Sequence, residues 1–260
     1  MTEARMTEKP LAGWRVLVPR GGPWGDSVAA DLRAHGAQPV IAPMINFAPA
    51  ADASTVTRAL ERLAAGEYDW VTATSATTVD VLQSYRAVIP ASTRVAAVGE
   101  TTAAALTAAG YKVDLVPAEE NSAKGLLAEW REATGDAEGL HVLTLRSEIA
   151  KPTLTNGLTE MGHRVDAVVA YRTVGVPVDE KIVADVRAGN VNAILVTSGS
   201  VAEQVAAQLG PIPADTLIAA IGPQTASDAR RYGLDVNLIA AERSADSLID
   251  ALVHAARFDA

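Results

Sequence analysis

The sequence contains no cysteine, and aromatic residues make up only 4% of its 260 residues. The absence of cysteine excludes disulfides, thiolate metal sites and cysteine nucleophiles. No apolar run approaches the ~18 residues of a membrane span, because glycine, proline or charge interrupts every one. Residues 1–10 are polar and charged, which does not fit a secretory signal and favours a cytoplasmic location.

Basic charge is also scarce, since 22 Lys and Arg face 31 Asp and Glu and the formal net charge is −9. A general nucleic-acid binder needs a basic face, so this balance argues against that class. The sequence has no Walker lysine loop, no HExxH and no GxSxG, and its four histidines lack metal-ligand spacing. The glycine-rich segment 21–25 does not match GxGxxG, and Pro23 removes one amide. We therefore expect neither a metal nor a cofactor.

The main pattern alternates short β-branched runs with helical stretches that end in glycine. Such runs are typical of strands buried on both faces of a parallel sheet, and glycine supplies the left-handed turn after a helix. Asp26 is the expected cap of the first helix. The predicted strands are residues 14–18, 38–42, 70–73, 94–98, 113–116, 141–145, 165–170, 193–196, 217–221 and 236–239. The helix-ending glycines are Gly36, Gly66, Gly110, Gly162, Gly189, Gly210 and Gly233. Roughly ten βα units of this kind predict an α/β fold.

An internal repeat divides these units into two related lobes. An offset of 123 residues takes Thr74-Ser75 to Thr197-Ser198 and Gly99 to Gly222, and it also relates Thr102 to Thr225. A second pair of units aligns at an offset of 126, which relates Arg20 to Arg146.

Two pairings of the repeated units are compatible with these offsets. Sequential pairing places a domain boundary near Gly135-Asp136, in a polar stretch. Crossed pairing inserts the middle units as a second domain, and the chain then crosses between domains near residues 44–49 and 171–177. Both crossover stretches are extended in character and can pair as a two-stranded hinge.

Polar loops follow the strands of both lobes, where ligands of open parallel sheets bind over helix N-termini that favour anions. The ordinary alternatives are helix capping by Ser and Thr and solvated surface arginine. Tyr171, at the second crossover, is a candidate hydrogen-bond donor or weak acid, with simple packing as its alternative. The candidate anion-binding residues are Arg20, Thr74, Ser75, Gly99, Thr102, Arg146, Lys151, Ser198, Gly199, Gly222, Gln224 and Thr225.

Together these residues resemble the uroporphyrinogen-III synthase family, and the likeness extends from Trp14 to the final helix. The segments that carry it are 14–20, Thr74-Ser75 with Val79, Val98-Gly99 with Thr102-Ala103, Leu145-Arg146, 169–174, Thr197-Ser198 and 220–226. Each motif is weak alone, but their order and spacing are fairly specific.

The resemblance implies crossed pairing, with two flavodoxin-like domains, a two-stranded hinge linker and a cleft between the domains. The first domain would comprise residues 1–43 plus 175–260, and the second residues 50–167. Residues 44–49 and 168–174 would form the linker strands.

The resemblance also implies a reaction without cofactor. Hydroxymethylbilane, a linear tetrapyrrole, loses its hydroxyl as water and leaves an azafulvene, and ring D then attacks to form a spiro intermediate. Fragmentation and reclosure invert ring D and produce uroporphyrinogen III. In the family, the tyrosine matching Tyr171 assists departure of the hydroxyl, and residues matching Thr102, Ser198 and Thr225 are linked with substrate carboxylates.

The family reading further implies a monomer without nucleic-acid or membrane partners, and transient hand-over of substrate from hydroxymethylbilane synthase. The sequence departs from the family pattern at Thr77-Thr78 and at Lys151, which stands where a further arginine is common. Lysine lacks the bidentate fork of arginine. A two-lobed protein that binds a small anion without catalysis is the main alternative, and a nucleotide or flavin protein is the third.

Overall fold

The computed structural model describes residues 9–135 and 137–258. Asp136, beside the boundary expected for sequential pairing, and residues 1–8 of the polar start lie outside the described residues. The described chain divides into two compact units. The first contains the residues up to Asn46 and those from Val174 onward, and the second contains Phe47–Thr173.

Strands and helices alternate along both units. The strands are β1 (Arg15–Val18), β2 (Gln38–Ile41), β3 (Ile45–Pro49), β4 (Trp70–Ala73), β5 (Arg94–Ala97), β6 (His141–Ser147), β7 (Arg164–Gly175), β8 (Ala193–Val196), β9 (Leu217–Ala220) and β10 (Leu238–Ile239). The helices are α1 (Gly22–Ala34), α2 (Ala53–Ala64), α3 (Ala76–Ser84), α4 (Glu100–Ala108), α5 (Ala123–Thr134), α6 (Thr153–Glu160), α7 (Glu180–Arg187), α8 (Gly199–Leu209), α9 (Pro223–Arg231) and α10 (Ala245–Phe258). Within the described residues, no helix is both long enough and apolar enough to cross a membrane.

Each unit is built on a five-stranded sheet, and the α/β prediction is confirmed. The first sheet has the order β10-β9-β8-β1-β2, and the second has the order β3-β7-β6-β4-β5. The pairs β1–β2, β1–β8, β4–β5 and β4–β6 are all parallel. In the first unit, β2 lies on one side of β1 and the later strands β8, β9 and β10 lie on the other. In the second unit, β5 lies on one side of β4 and the later strands lie on the other. The strand order thus changes direction at β1 and at β4, as in flavodoxin-like folds. Ligands of such folds bind at the carboxyl ends of the strands beside the reversal.

Separate apolar clusters lie on the faces of each sheet. In the second unit, one cluster includes Leu63, Leu82 and Leu143, and another surrounds Trp130. The two clusters of the first unit draw only on residues of that unit. Each sheet therefore has helices packed on both faces, which explains why its strands are continuous apolar runs.

The first helix begins earlier than the sequence predicts. Its N-cap is Gly21 rather than Asp26, and Pro23 lies in the first turn. Proline at this position loses no hydrogen bond, and its fixed φ angle suits a helix start. The glycine-rich segment is consequently the first turn of α1.

Two predicted strands are wrong in part, for the same reason in both repeats. Residues 113–116 form only an isolated bridge between Leu115 and Ala96, and β10 is two residues long. The Asp114 carboxylate accepts the Val95 amide at 3.0 Å, and the Asn237 side-chain oxygen accepts the Ile218 amide at 2.7 Å. The two side chains are 123 residues apart and are equivalent in the repeat. Each accepts a strand amide that a backbone carbonyl would accept in a regular parallel sheet.

The glycine prediction is confirmed at six helix ends and is wrong at the seventh. The six of these seven glycines that have positive φ are Gly36, Gly66, Gly110, Gly162, Gly189 and Gly233. Gly210 has φ −61° and ψ 150°, because it precedes Pro211 and the residue before a proline favours the extended region.

Candidate active site

The hydroxyl of Tyr171 meets the start of a helix at the carboxyl end of β4. Ser75 is the N-cap of α3, and its Oγ accepts the amide of Thr78 at 3.3 Å. The same Oγ lies 2.8 Å from the Tyr171 phenol oxygen, and Tyr171 is only 7% exposed. Ser75 thus serves both as a helix cap and as the partner of a buried phenol.

An aromatic ring that the sequence did not single out packs against this phenol. The rings of Phe47 and Tyr171 are 5.5 Å apart and nearly perpendicular, and Phe47 is 49% exposed. Phe47 belongs to β3, which neighbours β7 in the sheet. This edge-to-face arrangement is one that aromatic pairs prefer, and it fixes the position of the phenol. The available signal was its rarity, since the sequence has two phenylalanines.

Two further candidates near the end of β6 donate hydrogen bonds to backbone carbonyls. Thr74 Oγ1 donates to the Leu145 carbonyl at 3.3 Å, and Arg146 Nη1 donates to the Ala150 carbonyl at 2.7 Å. The Arg146 Nε is buried without a partner among the described residues. Lys151 is exposed. Arg146 therefore closes its own loop in this structure.

At the end of β5, the start of α4 is already occupied by a side chain. Gly99 is the N-cap, and the Glu100 amide donates to Asn121 Oδ1 at 3.2 Å. A Cβ at Gly99 would lie 3.0 Å from Asn121, so the loop packs closely against the glycine. Thr102, in the first turn, is buried.

The first unit brings five of the predicted residues into one cavity of about 230 Å³. They are Ser198, Gly199, Gly222, Gln224 and Thr225. Ser198 caps α8 by accepting the Val201 amide at 3.2 Å, and Gly222 is the N-cap of α9. Two helix starts thus line one cavity, and their free amides favour an anion.

The cationic residue of this cavity is Arg243, which the sequence analysis missed. Arg243 follows β10 and is exposed, and Asp228 and Glu242 also line the cavity. The available signal was its place in the sequence, since Arg243 is a basic residue shortly after the predicted strand 236–239. Arg20, the predicted cation, is not part of this lining, and its guanidinium lies 5.1 Å from the Trp24 ring centre.

The chemistry available at these strand ends is mild. It consists of a phenol, several hydroxyls, helix-start amides and a few cations. In the part of the chain that the structure describes, no group of three or more His, Asp or Glu is placed to hold a metal ion. Such a set suits recognition of anions and transfer of a proton to a good leaving group.

Comparisons with known proteins agree on one family. The family model described as uroporphyrinogen-III synthase HemD matches residues 26–250. A porphyrin biosynthesis protein HemD of Ruminiclostridium josui is 31% identical over an alignment of 255 positions, which covers 95% of this chain and 49% of that protein. The chain thus spans about half the length of this relative. A uroporphyrinogen-III synthase of Synechococcus elongatus is 29% identical over an alignment of 271 positions, which covers 97% of this chain and 99% of that protein.

A solved structure shares the fold. A mutant uroporphyrinogen III synthase from Thermus thermophilus superposes with a TM-score of 0.62 at 19% identity. The match covers 95% of this chain and all of that one.

Proposed function

Because the chain belongs to the uroporphyrinogen-III synthase family, whose reaction is the cyclisation of hydroxymethylbilane, we propose that this protein makes uroporphyrinogen III with Tyr171 as its proton donor. The observation that carries this assignment is the 2.8 Å contact between the Tyr171 phenol and Ser75 Oγ at the N-terminus of α3. A cyclising lyase of this kind needs a weak acid at one fixed place, and the phenol supplies it.

In the proposed reaction, the phenol protonates the hydroxyl that leaves the bilane as water. The substrate is left as a cationic azafulvene, and ring D attacks it to form the spiro intermediate. Fragmentation and reclosure invert ring D. The proton released when the last pyrrole regains aromaticity restores the phenol. The net change is the loss of one water.

The surroundings of Tyr171 support this role. After proton transfer the phenol oxygen carries negative charge, and the Ser75 hydroxyl is placed to donate to it. Ser75 itself stands at the positive end of α3, which favours nearby negative charge. The half-exposed ring of Phe47 shields one side of the phenol from water. Both features favour departure of the hydroxyl over a side reaction with water.

We assign the carboxylates of the substrate to the strand ends of both units. Ser198, Gly199, Gly222, Gln224 and Thr225 are supported by their common cavity and its two helix starts. The other residues proposed to bind substrate are Arg20, Thr74, Ser75, Gly99, Thr102, Arg146 and Lys151. Among these, Arg146 has N–H donors left for the substrate besides the one bonded to the Ala150 carbonyl.

We also propose a discontinuous first domain of residues 1–43 plus 175–260 and an inserted second domain of residues 50–167. Residues 44–49 and 168–174 would link them. The separate apolar clusters of the two units support this division, because each unit has its own buried core.

We further propose a cytoplasmic monomer that receives hydroxymethylbilane directly from hydroxymethylbilane synthase. Spontaneous closure of the free bilane to the unrearranged isomer supports a short transfer. In a coupled assay at fixed concentrations of both enzymes, an excess of catalytically inactive hydroxymethylbilane synthase should lower the share of isomer III by competing for this protein. A share that does not change with the inactive competitor would argue against transfer between the two proteins.

The decisive experiment supplies enzymatically generated hydroxymethylbilane and separates the oxidised products by isomer. We expect isomer III in proportion to the protein added. If only isomer I forms at every protein concentration, the catalytic assignment fails. Binding of the bilane without isomer III would instead favour the anion-binding alternative.

A further inference from the structure

A buried hydroxyl beside Tyr171 has no hydrogen-bond partner. Among the described residues, four buried side-chain polar atoms lack one: Thr72 Oγ1, Arg146 Nε, Ser147 Oγ and His163 Nδ1. Ser147 is 8% exposed and is the last residue of β6. Leaving a buried hydroxyl unpaired is unfavourable, so each such group in a native protein calls for a physical reason.

The register of the second sheet places Ser147 next to the phenol-bearing residue. Arg146 pairs with Val169, but Ser147 pairs with Tyr171, so β7 has one extra residue here. The Glu148 amide donates to the Tyr171 carbonyl at 3.0 Å, which holds this bulged register in place. Bulges of this kind occur beside active sites, where they redirect a side chain.

The hydroxyl of Tyr171 must cross the end of β6 to reach its partner. In the sheet, β6 lies between β7, which carries Tyr171, and β4, which precedes Ser75. Paired residues of neighbouring strands project to the same face of a sheet. Ser147 and Tyr171 therefore share a face, and the 2.8 Å bond from Tyr171 to Ser75 passes over the strand end where Ser147 lies.

We propose that Ser147 is a positioning residue whose hydroxyl donates to the Tyr171 oxygen when that oxygen carries negative charge. This inference rests on the proposed function. Before reaction the phenol is neutral and is bonded to Ser75, and the Ser147 hydroxyl has no hydrogen-bond partner. When the phenol gives its proton to the departing hydroxyl, the phenolate gains lone-pair capacity for a second donor. The proposed role requires that rotation of the Ser147 side chain bring its hydroxyl proton to that oxygen.

The proton balance of the step is closed. The Tyr171 O–H bond breaks as the bond between the substrate carbon and its hydroxyl breaks, and water departs. The phenolate and the cationic azafulvene form together. Ser147 keeps its own proton throughout, and the phenol is restored by the proton that the substrate releases on closure. Ser147 thus stabilises the phenolate that forms during the reaction and does not stabilise the protein before the reaction.

The test compares Ser147→Ala with Thr72→Val. Both variants remove an unpaired buried hydroxyl, and Thr72 lies in the interior of β4. We expect both to keep or raise the melting temperature. Only Ser147→Ala should lower turnover, by about tenfold or more, which is typical for loss of a hydrogen bond to a charged group.

The pH profile of turnover provides a second readout that a purely structural role would not move. Without Ser147 as a donor, the phenolate is less favourable, so the alkaline limb should shift to higher pH in Ser147→Ala. Ser147→Thr retains a hydroxyl and should recover part of the turnover and of the wild-type profile. KM should change little in either variant, because the bond forms only during the reaction.

The outcomes separate this inference from the proposed function. If the wild type yields only isomer I, the proposed function fails, and the role of Ser147 fails with it. If the wild type yields isomer III and Tyr171→Phe is impaired, but Ser147→Ala matches the wild type in turnover and pH profile, only the role of Ser147 is overturned. The same holds if Ser147→Ala loses turnover together with melting temperature while its pH profile stays unchanged.

Discussion

Two tyrosines of the second unit use their hydroxyls differently. Tyr171 bonds to the side chain of Ser75 at the end of a strand, whereas Tyr111 donates to the Ala87 carbonyl at 3.0 Å. The second contact ties a loop to a loop. The first joins a phenol to a helix start, where a charge on the oxygen is favoured.

At the residue scale, Tyr171→Phe should therefore lower turnover by about 100-fold or more, as expected for loss of a general acid. Its free energy of unfolding should change by only about 1 kcal/mol, because the ring and its contact with Phe47 remain. Tyr111→Phe is the matched control, with a similar loss of stability and wild-type turnover. Kinetic assays measure turnover, and denaturant unfolding measures the free energy of unfolding of the two variants. If Tyr171→Phe had the turnover of the wild type, Tyr171 would contribute only packing and would not be the proton donor.

Arg243 is the second residue whose role is testable alone. It lines the cavity at the starts of α8 and α9 and is exposed, so its attraction for a carboxylate is screened. We expect Arg243→Ala to raise KM about two- to fivefold with little change in kcat. Arg230→Ala, in the last turn of α9, makes the same charge change away from the cavity and should leave KM unchanged. Equal effects in both variants would show that only net charge matters.

At the scale of elements, Asp166 joins a helix to three strands of the second unit. Its Oδ2 accepts hydrogen bonds from Arg62 of α2 at 2.7 Å and from Tyr68, just before β4, at 2.8 Å. The His141 ring, at the start of β6, lies 3.2 Å from the same oxygen. Partial burial raises the pKa of Asp166, but the hydrogen bonds from these three groups outweigh it and hold the pKa below its usual value.

A lowered pKa in the folded state means that the ionised carboxylate stabilises the fold. This contribution is present above about pH 4, the ordinary value for Asp, and is lost as pH falls through the lower folded pKa. Asp166→Asn should lower the melting temperature at neutral pH and flatten the loss of stability below pH 4. Asp80→Asn, an exposed residue of α3, is the control. If the melting temperatures of the wild type and of Asp166→Asn fell in parallel with pH, the Asp166 carboxylate would not be the source of this stability.

The elements also reveal where local sequence patterns are insufficient. The runs 113–116 and 236–239 have the composition of strands, yet Asp114 and Asn237 replace ladder contacts with side-chain bonds. The same apolar pattern suits a regular strand and a strand interrupted in this way. Only the neighbouring strand, which supplies the amides of Val95 and Ile218, decides between them.

At the scale of the whole molecule, the separate cores make a further prediction. The apolar clusters of the second unit contain no residue of the first. A fragment of residues 45–175, which keeps β3 and β7 whole, should therefore fold by itself and unfold cooperatively. Circular dichroism during heating and the dispersion of amide NMR signals measure this, with the full chain as the reference. A fragment without a cooperative transition would show that its core depends on the rest of the chain.

The net charge of −9 is also a property of the whole molecule. The polycarboxylate substrate of the proposed function gains nothing from bulk attraction to such a protein. In that proposal its binding rests on local groups, such as the amides at the starts of α8 and α9 and the hydroxyls of Ser198 and Thr225. The acidic total therefore fits an anionic ligand when the binding groups are fixed by the backbone.

The sequence by itself determined the α/β class, the repeat and the set of polar residues at strand ends. These follow from local physics, because apolar runs, helix caps and terminal glycines act over a few residues. Only the tertiary structure decided which of those residues meet. Ser75 and Tyr171 are 96 positions apart, and β6 with its unpaired Ser147 lies between their strands. Strand order and register depend on how segments distant in sequence pack together, and local sequence patterns do not predict that packing.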